Sequence, residues 1–181
     1  MKELIFVVGL SGIGKSYYID RVYPHAYVID YEVLRRECLE AHPTMDHYEV
    51  SAYVKSWAME RLGVAIASGT YRDIVIECTG MSKVQQAAIR AMMDMADWYG
   101  FRSEVVYLTP VDWGEFYRRI MDDEQALGMY LDYSRGGPRW REPDRCPYFE
   151  RVTILEVDYD TDLEYWNEVQ EQRRAAQNGT L

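Results

Sequence analysis

The sequence predicts an α/β domain built on a parallel sheet of five strands flanked by helices. Three observations carry this reading. Short apolar runs alternate with helical stretches, a glycine-rich segment joins the first run to the first helix, and 181 residues suit one compact domain better than two. The first run, Leu4–Val8, is continuous and β-rich, as expected of a strand buried on both faces. Further runs predict strands over Ala26–Asp30, Asp73–Glu77, Ser103–Thr109 and Val152–Val157. Helical stretches fall between and after them, at about 31–41, 46–68, 82–99, 111–128 and 161–176. Right-handed crossovers place the C-terminal ends of the strands along one edge, where a site is expected.

The segment after the first strand, Gly9-Leu10-Ser11-Gly12-Ile13-Gly14-Lys15-Ser16, has the spacing G-x-x-x-x-G-K-[ST] of a phosphate-binding P-loop. Strand, glycine loop and helix come in the required order, so the expected architecture is a P-loop NTPase or kinase fold. Backbone N–H groups of Gly9, Ser11, Gly12, Ile13 and Gly14 are expected to converge on phosphate oxygens, aided by the helix N-terminus. Lys15 is expected to reach the β- and γ-phosphates and the Ser16 hydroxyl to ligate Mg²⁺, with Tyr17 beside them on the cofactor side. The implied cofactors are ATP and Mg²⁺. An Asn-Lys-x-Asp guanine element after a strand is missing, which argues against a GTPase; adenine is expected near the loop after strand five, around Asp158 to Thr161.

Composition narrows the partners. No run approaches the length of a membrane span, and the chain enters its first strand almost at once, so neither an anchor nor a signal peptide is expected. The three cysteines are dispersed and odd in number, the pattern of free thiols in a reducing, cytoplasmic setting. The three histidines do not fall at zinc spacing with them. A net charge of −10 argues against wrapping a long duplex, though not against a local grip on one strand end or one nucleotide.

Phosphoryl transfer to a hydroxyl needs a carboxylate at the acceptor, a group organising the metal, and cations for the developing charge. Asp30 and Glu32 follow strand two. The expected base is Glu32 and the expected metal-side acid is Asp30, although spacing alone does not separate the two roles. Arg35 lies one helical turn beyond Glu32, where it can bind an acceptor phosphate. The plainer reading makes Asp30 a helix cap and Glu32–Arg35 a surface pair. Glu77 ends strand three in a Walker-B-like position and can hold Mg²⁺ through water. Strand alternation can equally point it toward a helix. Thr79 and Gly80 follow at the edge, close to any substrate. Arg118 or Arg119 can act as an arginine finger in cis, or lie as surface side chains. Tyr53 and Trp57 are four apart on the third helix and are expected to pack in the core rather than stack on a base. Arg135, Arg139, Arg141 and Arg145 sit in a Gly/Pro-rich segment, and residues about 129–147 are expected to form an arginine-rich lid over the phosphates.

The P-loop, the segment from Asp30 to Arg35, and the blocks Ile74–Ser82 and Asp112–Arg119 together resemble the kinase domain of phage and bacterial polynucleotide kinases. More broadly they resemble the P-loop kinase group that includes the zeta toxins. The resemblance covers about residues 3–120. It implies transfer of the ATP γ-phosphate to a 5′-hydroxyl of nucleic acid. It places the general base on Glu32, the acceptor-phosphate arginine on Arg35 and the donor-phosphate arginine on Arg119. The spacing of Asp30 and Glu32 is also similar to the Asp-x-Asp of shikimate kinases. Two departures fall on the acceptor side: Glu32 where the family has Asp, and Cys78-Thr79-Gly80 where it has Asp-Thr-Asn. They suit an altered acceptor, such as the hydroxymethyl group of a modified pyrimidine in DNA. The alternatives are a small-molecule or nucleotide kinase, zeta-toxin-like enzymes included, and an ATPase switch with no acceptor.

Overall fold

The computed structural model describes residues 1–79, 83–111, 116 and 152–157. The chain begins with strand β1 (Lys2–Gly9), helix α1 (Lys15–Val22), strand β2 (Tyr27–Asp30), helix α2 (Tyr31–Ala41) and helix α3 (His47–Ser68). Strand β3 (Asp73–Cys78), helix α4 (Lys83–Trp98), strand β4 (Phe101–Pro110) and strand β5 (Val152–Val157) follow. The strands are all parallel, in the order β2-β3-β1-β4-β5.

The expected architecture needs one correction. The four described helices pack mainly on β2, β3, β1 and β4. Among the described residues the helix-flanked unit is therefore a four-stranded parallel sheet with four helices, where a five-stranded sheet flanked by helices was expected. The segment Val152–Val157 is added beside β4, at the sheet edge. The expected helices at 111–128 and 161–176 and the expected lid lie outside the described residues, apart from Val111 and Phe116. Among the described residues no helix is long and apolar enough to cross a membrane. Cys38 and Cys78 are buried; Cys146 lies outside the described residues.

Strand alternation divides the core in two. Leu4, Phe6, Val8, Ile74 and Ile76 face α2, α3 and α4. Ile5, Val7, Val75, Val106 and Leu108 face α1, with Ile13, Ile19 and Phe116. Helix α3 contributes a stripe at helical spacing, Val50, Val54, Ala58, Leu62 and Ala65, which explains how a 22-residue helix holds its place. Its start is fixed by a capping box. The Asp46 carboxylate accepts from the N–H groups of Tyr48 and Glu49 at 2.8 and 2.9 Å, and the Glu49 carboxylate accepts from Asp46 N–H at 3.0 Å.

Gly9 closes β1 against β4. A Cβ there would stand 2.9 Å from the Leu108 carbonyl oxygen and 3.0 Å from Ile13 Cγ2. Backbone cannot yield as a flexible side chain can, so Gly9→Ala is expected to cost about 1–3 kcal/mol. The check is a drop in the thermal midpoint of the apo protein; an unchanged midpoint would show that the strand end yields freely.

Candidate functional site

The site forms where β1, β2 and β3 end. Gly12 and Gly14 adopt φ of 80° and 102°, the left-handed region that a side chain resists, and Gly14 caps α1. The Ile13 N–H donates to the Leu10 carbonyl at 3.3 Å, and the Ile13 side chain is fully buried in the α1-side core. That anchor leaves the loop over the N-terminus of α1, where unpaired helix N–H groups and the helix dipole favour an anion.

Lys15 is buried, and its ammonium donates to the Leu10 carbonyl at 3.0 Å while lying 4.0 Å from Glu77 Oε1. An ammonium has three N–H donors, so it can keep the carbonyl and still reach a phosphate. Ser16 Oγ donates to the same Glu77 oxygen at 3.0 Å. Alternation settles the direction of Glu77: Val75 faces the α1 side, so Glu77 does too, toward the loop and not toward α2, α3 and α4. Glu77 is itself 9% exposed and stands beside Asp30 in the β2–β3 register.

Asp30 proves to be the N-cap of α2. Its Oδ1 accepts from the Glu32 N–H at 2.7 Å and from the Val33 N–H at 3.4 Å. The plainer reading of this residue is thus present, and it fixes Glu32, which is exposed on the first turn of α2. Burial holds the Lys15 ammonium below the ordinary lysine value of 10.5, opposed first by the Glu77 carboxylate and, further down, by those of Asp30 and Glu32.

Bound phosphate returns Lys15 toward its ordinary value. Binding should therefore take up a proton as pH rises through the lowered value, and affinity should weaken above it. Calorimetry of nucleotide binding over a pH series, in buffers of different ionisation enthalpy, checks this; proton uptake is expected to grow as pH rises.

Arg35 is half-buried, and its guanidinium lies 3.3 Å from His47 Nδ1 on α3. No Glu32–Arg35 ion pair is found among the described contacts. Thr79 Oγ1 donates to Gln85 Oε1 at 3.1 Å, tying the end of β3 to α4. The Tyr17 hydroxyl bonds the Arg21 guanidinium, which also lies 5.1 Å from the Tyr17 ring centre. Tyr53 and Trp57 meet edge-to-face at 5.8 Å. Trp57 packs on the core as expected, while Tyr53 is more exposed and meets the His42 ring at 5.5 Å. Gly80, Arg118, Arg119, Arg135 and Arg139 lie outside the described residues. The residue that the sequence reading passed over is His47; its helical position was legible, its partner on a different helix was not.

Among the described residues no group of three or more His, Cys, Asp or Glu is placed to hold a metal by itself. The oxygen donors Ser16 Oγ and the Glu77 carboxylate nevertheless fit Mg²⁺, which is bound with few protein ligands and completed by phosphate and water.

A glycine loop over a helix start, a buried lysine within it, and a carboxylate behind that lysine define a P-loop domain. The chain belongs to the AAA domain family, whose model matches residues 4–122. Solved structures share the fold. A likeness extends to the PezAT toxin–antitoxin system of Streptococcus pneumoniae, at 15% identity and TM-score 0.56, covering 87% of this chain and 68% of that one. A gluconokinase from Sinorhizobium meliloti matches at 15% identity and TM-score 0.52, covering 86% and 82%. The APS kinase of Mycobacterium tuberculosis, in complex with AMPPNP and APS, matches at 19% identity and TM-score 0.52, covering 94% and 98%. At these identities the likeness is one of fold. The resemblance drawn from the sequence is thereby broadened: the fold is that of P-loop kinases, and not of polynucleotide kinases specifically. A search of curated proteins finds no match.

Proposed function

We propose that the protein is an ATP-dependent phosphotransferase acting on a hydroxyl of a small molecule or nucleotide. The observation that carries this reading is the meeting of Lys15, Ser16 and Glu77 beneath the P-loop, with Asp30 and Glu32 beside them. The names of the fold neighbours, a gluconokinase and an APS kinase, favour a small acceptor over a nucleic-acid end.

The chain's own groups have distinct roles. The P-loop amides hold the β- and γ-phosphates, and Lys15 meets the charge on the transferring group. Ser16 and Glu77, with Asp30 beside Glu77, would hold Mg²⁺, which would supply neutralisation of the phosphate charge. Glu32 accepts the proton of the acceptor hydroxyl as that oxygen bonds to the γ-phosphorus. The bond from the γ-phosphorus to the β–γ bridging oxygen breaks, and ADP leaves. Arg35 and Thr79 face the acceptor, and Arg119 or Arg118 supplies a further cation to the phosphoryl group.

The test is transfer of label from γ-labelled ATP with Mg²⁺ to a panel of sugars, nucleosides, nucleotides, 5′-hydroxyl DNA and RNA, and DNA bearing hydroxymethylated pyrimidines. Label on a small molecule is the expected result. Label on nucleic acid would favour a polynucleotide-kinase-like acceptor, and label only on inorganic phosphate an ATPase switch.

A further inference from the structure

The acceptor side holds a contact that none of these roles uses. Arg35 lies one turn beyond Glu32 on α2, and its guanidinium meets His47 Nδ1 at 3.3 Å across the α2–α3 interface. An arginine N–H can only donate, so this contact calls for the tautomer in which Nδ1 presents its lone pair.

Both ends of the contact stand on fixed backbone. Arg35 follows Leu34, a fully buried residue of the core between α2 and α3, and α2 is pinned at its start by the Asp30 cap. His47 is the first residue of α3, between the cap residue Asp46 and Tyr48, whose N–H that cap holds. The Tyr48 ring meets the imidazole edge-to-face at 6.0 Å. An arginine side chain left alone in solvent samples many rotamers, and ordering it opposes ligand binding. A neutral acceptor of one N–H removes part of that cost and leaves the other guanidinium N–H groups for an anion.

We propose that His47 is a positioning residue for Arg35, orienting its guanidinium toward an anionic group on the acceptor. The inference rests on the proposed transfer reaction, with Arg35 at an anionic group of the acceptor, and adds to it the role of His47. His47 acts through Arg35 and touches neither ATP nor the reacting atoms.

The experiment measures kcat, the KM for the acceptor and the KM for ATP in the wild type, His47→Ala, His47→Asn, Arg35→Ala and the Arg35→Ala/His47→Ala double variant. The acceptor is the best substrate of the labelled-ATP panel. His47→Ala should raise the acceptor KM by about five-fold, the scale of one hydrogen bond, with kcat and the ATP KM within about two-fold of wild type. His47→Asn, whose side-chain oxygen can stand near the Nδ1 position, should recover most of the loss. In the Arg35→Ala background the His47→Ala change should add nothing. An unchanged acceptor KM in His47→Ala overturns the inference, as does a loss that persists without Arg35. A best acceptor that carries no negative charge overturns it as well. A wild type that labels no acceptor overturns the phosphotransferase reading, and this inference with it.

Discussion

Lys15→Ala is expected to lower γ-phosphate transfer by about 10²–10³-fold, the scale seen when one preorganised donor to a developing charge is removed. The ammonium is held 3.0 Å from the Leu10 carbonyl and 4.0 Å from Glu77, so it cannot drift far from the loop. In the proposed reaction, truncation removes the cation that meets the transferring phosphoryl group. Folding should survive, because two effects oppose each other: the change ends the burial of an ammonium, and it leaves Glu77 with one partner fewer. Activity and the apo thermal midpoint should therefore separate, the first collapsing while the second moves by a few degrees at most. If transfer to the acceptor persisted near the wild-type rate, the P-loop would not be the donor site. If activity and midpoint fell together, the loss would be one of folding and would say nothing of catalysis.

That site was legible in the sequence because its signal is local. The loop lies within eight consecutive residues, flanked by an apolar strand and a helix, and every part needed is adjacent in the chain. Glu77 was legible as a candidate but not as a direction. Ile74, Val75 and Ile76 are apolar on both sides of the sheet, so the strand has no polar face from which to read the phase. Only the division of the core, with Val75 on the α1 side, points Glu77 at Lys15. Asp30 could be read as a cap or as a site acid from the same residues. The structure shows the cap and also the register that sets Asp30 beside Glu77, so the two readings do not compete.

The edges were read less well, for a different reason. A parallel strand announces itself by an apolar run, but nothing in that run says which helices cover it. The segment Val152–Val157 reads like the others and pairs with β4, yet the described helices pack mainly on the remaining four strands. The acceptor side suffers from the same dependence on distant partners. Arg35 and His47 are twelve positions apart on two helices, and their meeting follows from how α2 and α3 cross, which no local pattern encodes.

Glu32→Gln is expected to reduce transfer by about 10²–10⁴-fold, the range for loss of a general base, with nucleotide affinity within about two-fold of wild type. The substitution keeps the length of the side chain and removes its capacity to take a proton. Glu32 stands on the first turn of α2, its own N–H held by Asp30 at 2.7 Å, so its backbone should not shift. The companion variants at Asp30 make the assignment decisive. Asn is as good a cap as Asp, so Asp30→Asn should leave the thermal midpoint nearly unchanged while removing the charge beside Glu77. Asp30→Ala should lose the cap as well, at about 1 kcal/mol of stability. With Glu32 as the base and Asp30 on the metal side, Asp30→Asn should weaken the Mg²⁺ dependence of transfer, and Glu32→Gln should leave that dependence intact. The opposite pattern would exchange the two roles. Turnover unaffected by Glu32→Gln would remove Glu32 from the chemistry and leave Asp30 as the carboxylate to test as base.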